Sequence, residues 1–114
     1  PWFYMLCKDE HFVNRVIERY RQLRESYLSE DYLFQYIDDT VAFLGPAIER
    51  NFEVWGYTFL EYTPLHPYER NPANYEAAVQ QLKDFIHERG EWMDENIEIL
   101  LQYCHESKVK KFNH

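Results

Sequence analysis

The chain has 114 residues, long enough for one modest hydrophobic core. Apolar residues make up 46% of it, and aromatics an unusually high 18%, carried by 3 Trp, 10 Tyr and 8 Phe. Acidic side chains outnumber basic ones by 20 to 12, a formal charge of −8 that repels phosphate backbones and anionic headgroups and argues against nucleic-acid and membrane partners.

No apolar run nears the roughly 20 residues of a membrane span. The opening Pro1-Trp2-Phe3-Tyr4-Met5-Leu6 has neither an initiator methionine nor the charged start and small-residue cleavage site of a signal peptide. It reads as a piece of a longer protein, folded as a single helical domain over 1–114. The three glycines stand at 45, 56 and 90, so no GxxxxGKS/T phosphate cradle, GxGxxG dinucleotide turn or GxSxG elbow can be assembled.

Placed at 100° per residue, the apolar positions predict an all-α fold with three main helices, about 9–27, 29–56 and 74–104. Asp9 is the expected N-cap of the first, whose stripe of Phe12, Val13, Val16, Ile17, Tyr20, Leu23 and Tyr27 falls in one arc of about 140°. Ser29 is placed to cap the second, with Glu30 and Asp31 at its positive end. Gly45-Pro46 interrupts it, and because the apolar phase continues to Trp55 a sharp bend at Pro46 is expected rather than a break.

Residues 57–73, with Pro64, Pro67 and Pro72, read as a long irregular connection rich in aromatics. The third stripe runs from Tyr75 through Leu82, Phe85, Trp92 and Ile97 to Cys104 without losing phase at Gly90. Since a lone glycine costs only ~1 kcal/mol in a helix interior, one continuous helix of about 45 Å is expected.

Polar side chains fall inside these apolar arcs: Arg24 in the first, Asn51 in the second, Arg89 and Asn96 in the third. A buried polar group needs a partner, and a buried charge needs one more. Asp38, Asp39, Asp94 and Glu49 border the arcs and are the natural carboxylates for a structural polar network, with Arg24 and Arg89 expected to be largely buried and ion-paired.

Other constellations carry less. Cys7 with His11, and Cys104 with His105, contain the residue types of a zinc set, but Cys104 and His105 are adjacent and point apart on a helix. Both cysteines read instead as small, reduced hydrophobes. Asp38-Asp39 point 100° apart, which does not suit a shared metal ion. Asp84, His87 and Glu88 face away from the stripe as a solvated surface.

The same positions carry a family resemblance. Pro1-Trp2-Phe3, Phe12, Arg19-Tyr20 and Leu23-Arg24 are followed by Leu28-Ser29, Ile37-Asp38, Ala47, Arg50-Asn51 and Trp55. Leu82, Arg89, Trp92-Met93-Asp94 and Ile97 complete a pattern over about 1–103, outside the loop. This pattern resembles the C-terminal part of CotH-type proteins, the spore coat protein H family of atypical secretory-kinase-like protein kinases. The resemblance implies a piece of a kinase-like fold whose ATP- and metal-binding residues lie upstream. The family's nucleotide-binding lysine and metal-binding acids have no matching positions here, so no catalytic, cofactor or metal residue is expected in this chain. Its implied role is to support the upstream kinase core and to help shape a surface for coat or other protein substrates, in the cytoplasm or the spore coat.

The alternative reading is a helical protein–protein interaction module with an aromatic binding loop. In either case Trp2, Phe3, Tyr57, Tyr62 and Tyr68 form the expected interaction surface, through which the chain is expected to self-associate at high concentration.

Overall fold

The computed structural model describes residues 2–57 and 71–104, and the described residues are helical with no strand among them. The elements are α1 (Trp2–Leu6), α2 (Glu10–Arg24), α3 (Glu30–Leu44), α4 (Ala47–Trp55) and α5 (Tyr75–Asn96), followed by a 3-10 helix (Ile97–Tyr103). The all-α expectation holds. Tyr62, Tyr68 and most of the expected aromatic loop lie outside the described residues. No helix of the described chain is long and apolar enough to cross a membrane.

Local chemistry explains most of the boundaries. Asp9 caps α2 as expected, its carboxylate accepting from the backbone N–H of His11 at 2.8 Å and Phe12 at 3.3 Å. Helix α2 ends at Arg24 rather than at Tyr27, because the N–H groups of Ser26 and Leu28 both turn back onto the Leu23 carbonyl. The Ser26 and Ser29 hydroxyls also donate to backbone carbonyls in this stretch, which competes with further helix. Helix α1 was not expected from the apolar pattern; none of its five residues is buried.

The expected bend at Pro46 is instead a break between two helices. Gly45 has φ +46°, the left-handed conformation that stops a helix, and its N–H still closes onto the Val41 carbonyl. Pro46 is then the N-cap of α4, where its missing N–H is no loss. Only two residues intervene, which is why the apolar phase survives.

Helix α5 runs uninterrupted through Gly90, as its stripe requires. It is 22 residues long, about 33 Å, and not the full expected length. At its end the Asn96 side-chain amide donates to the Trp92 carbonyl at 2.8 Å, the acceptor that α-helical geometry reserves for the Asn96 backbone N–H. Asn96 swings to φ −116° and the chain winds on as the tighter 3-10 helix.

The chain divides into two compact units, one of residues 1–29 with 90–114 and one of residues 30–89. The first unit has a small core of Val13, Ile17 and Ile97, with Phe12, Tyr20, Met93 and Leu100 among the side chains packed on it. Val13 and Ile17 come from the first predicted stripe and Ile97 from the third, so the two stripes meet as amphipathic faces should.

The second unit has no fully buried side chain among its described residues. It is held by partly buried aromatics and polar clasps. Phe52 stacks at tilted angles on Tyr57 and Tyr75, with centroids 5.5 and 5.9 Å apart. Lys83 reaches Asp38 at 2.6 Å and lies 5.4 Å from the Phe34 ring centroid, while His87 Nδ1 meets Glu30 at 2.6 Å.

Candidate functional site

The densest polar arrangement among the described residues is centred on Arg24, in the last turn of α2. Its Nε donates to Asp94 Oδ1 at 2.8 Å and its Nη2 to Asp94 Oδ2 at 2.6 Å, a bidentate fork. Nη1 donates to the Leu28 carbonyl at 2.7 Å, tying the turn after α2 to the same guanidinium. The Tyr20 hydroxyl adds a bond to Asp94 Oδ1 at 2.7 Å. The Arg24 hydrogen bonds hold the Asp94 carboxyl below its ordinary pKa, partial desolvation opposes them, and Tyr20 and the Arg24 charge reinforce them.

Gly90 belongs to this site. A Cβ built there would stand 3.1 to 3.3 Å from the Arg24 guanidinium, so the glycine leaves room for that plane to lie against α5. A glycine in the middle of a long helix thus has a packing cause.

The other predicted network members go elsewhere. Arg89 is exposed, not buried, because the helical arc it was placed in is only partly covered at its level. Asn51 is likewise exposed on α4. Asn96 is half-buried, but its partner is the backbone of its own helix and not a carboxylate. Asp38 pairs with Lys83, a cation outside the expected network. Asp39 accepts from Gln35 within α3 at 2.8 Å. Of the expected set, Arg24 and Asp94 are brought together as a bidentate pair. Tyr20 falls in the apolar stripe by spacing alone; the signal of its role is a hydroxyl one helical turn before Arg24 on the same face.

The expected interaction surface is divided. Trp2 and Phe3 are each 83% exposed. Tyr57 is half-buried, its hydroxyl lying 2.9 Å from the Pro72 carbonyl and 3.0 Å from that of Asn74. Desolvation, then the nearby Glu76, raises its phenol pKa. Tyr57 is therefore used to close its own loop. Both cysteines are free thiols, and the Cys104 S–H donates to the Cys7 carbonyl at 3.3 Å. Partial burial, then Glu10, Cys7 and Asp9, push the Cys104 thiol pKa up.

Among the described residues, no three His, Cys, Asp or Glu side chains converge as metal ligands. Gly45 and Gly56 end helices and Gly90 lies inside one. The arrangement around Arg24 is an ion-pair clamp that ties the end of α2 and the turn after it to Asp94.

No curated protein and no solved structure matches this chain. The family model described as CotH kinase protein does match, over residues 1–93, which takes in Arg24 and Gly90 and stops one residue before Asp94. A match over that much of the chain places it: the protein belongs to the CotH family.

Proposed function

We propose that this chain is the C-terminal helical part of a CotH-like spore coat protein kinase. It supports the kinase core structurally, while ATP and a divalent metal are bound by residues outside it. The observation that carries the reading is an uncovered apolar end within a CotH-family chain: α1 buries none of its five residues, and Trp2 and Phe3 stand 83% exposed. At roughly 25 cal/mol per Å2, seating two such aromatics on a kinase core is a substantial contribution to holding it. The glycine placement supports assigning nucleotide binding elsewhere.

Two measurements test this. Calorimetric titration of the 114-residue chain with Mg-ATP is expected to show no saturable heat. In a CotH-family kinase carrying this segment, Trp2→Ser with Phe3→Ser should lower the melting temperature and leave ATP affinity unchanged. Saturable Mg-ATP binding by this chain, lost on substituting one of its own residues, would overturn the proposal.

A further inference from the structure

Within the second unit, three cavities run into one another along α3, α4 and α5. The first, of about 340 Å3, is walled by Ile37, Val41 and Leu44 of α3 and by Val79 and Leu82 of α5. The next, of about 360 Å3, shares Val41, Tyr75 and Val79 with it and adds Ile48 and Glu49. The last, of about 680 Å3, shares Glu49, Tyr75 and Glu76 with the second and adds Phe52 and Glu53. Together they make a trough that is apolar at one end and lined by three carboxylates at the other, with no cation among its described lining residues.

We infer that this trough docks a cationic amphipathic helix of a partner protein, its apolar face against Ile37, Val41 and Leu82 and its Lys or Arg side chains against Glu49, Glu53 and Glu76. Two observations select this occupant. The apolar end is open: Tyr36 is 64% and Leu82 48% exposed, in a unit with no buried core of its own among the described residues. An apolar groove between helices is the shape that accepts a helix. The charge selects its sign, since residues 30–57 and 71–89 carry nine acidic side chains against three basic ones. A second copy of this chain, itself at −8, brings repulsion to the acidic end, whereas a basic helix brings complementarity. The inference does not depend on the kinase-support reading, whose surface is α1 in the other unit.

The test uses the whole 114-residue chain and a fluorescein-labelled 14-residue peptide of leucines and lysines in helical amphipathic order. Anisotropy is expected to show saturable binding that weakens as salt is raised. Combined Glu49→Gln, Glu53→Gln and Glu76→Gln should weaken it about tenfold, a sum of three partly exposed ion pairs. Glu10→Gln, Glu18→Gln and Glu95→Gln, which remove the same charge from the first unit, should change it little. Val79→Gln, in the apolar wall, should also weaken binding, with circular dichroism confirming that each variant keeps its helices. Absence of binding overturns the inference. So does equal weakening by the two glutamine triples, which reduces the effect to net charge, and so does equal binding of a peptide with glutamate in place of lysine. Light scattering that shows a dimer abolished by the trough substitutions assigns the face to a second copy instead.

Discussion

Arg24 and Asp94 differ from the other ion pairs in how many bonds converge on them. The Arg24 side chain is 22% exposed and makes three hydrogen bonds, whereas Arg21 and Glu98 pair at side-chain exposures of 59% and 63%. An exposed pair contributes about 0.2–1 kcal/mol, and a hydrogen-bonded, partly desolvated one more. Arg24→Ala is therefore expected to cost about 2 kcal/mol in denaturant unfolding. Arg21→Ala should cost below about 1 kcal/mol. Arg89→Ala should fall well short of Arg24→Ala, because Arg89 is exposed.

Acid titration probes the same pair. Asp94 has a lowered pKa in the folded state, so its contribution is fully present above the ordinary carboxylate value near 4 and is lost as pH falls through the lowered one. Melting temperature measured from pH 6 downward should drop less steeply below about pH 4 in Asp94→Asn than in the parent chain. The raised Cys104 pKa predicts slower alkylation by iodoacetamide at pH 8 than for a free cysteine, since less thiolate is present.

At the scale of the elements, two glycines do opposite things. Gly45 ends α3 at φ +46°, where a side chain is strained whatever the space around it. Gly45→Ala should destabilise by about 1–2 kcal/mol, read as a shift in the denaturant midpoint. Gly90 is ordinary helix, and alanine there would by itself gain about 1 kcal/mol of helix propensity. That gain is opposed by the guanidinium 3.1 Å from the new methyl, which is pinned by Asp94 and the Leu28 carbonyl. Gly90→Ala should therefore be neutral or destabilising in the parent and stabilising in an Arg24→Ala background, a non-additivity that a double-mutant cycle reads directly. Equal effects in both backgrounds would show that Arg24 does not set the need for glycine.

At the scale of the molecule, the governing fact is how little is buried among the described residues. Val13, Ile17 and Ile97 are the buried hydrophobics among the described residues, while Phe43 is 89% and Trp55 74% exposed alongside Trp2 and Phe3. Exposed aromatics on this scale favour association, and at physiological ionic strength the repulsion from −8 reaches only about 8 Å. The chain should therefore form higher-mass species by light scattering near millimolar concentration, and Trp2→Ser with Phe3→Ser should reduce them. A monomer mass throughout would show that this surface does not self-associate.

Spacing along the chain was enough to place Asp9 as a cap, to carry α5 through Gly90, to put Val13, Ile17 and Ile97 on inward faces, and to single out Arg24 and Asp94. These are consequences of angles between residues on one helix, and a sequence encodes those angles directly. It could not say that Arg89 and Asn51 lie on uncovered parts of their arcs, that Lys83 claims Asp38, or that Asn96 turns α5 into a 3-10 helix. Those outcomes depend on what each face meets, and the bond between Arg24 and Asp94 spans 70 residues of chain. Gly90 shows the division most clearly. Periodicity told that the helix passes through it, and only the guanidinium lying against it told why that position is glycine.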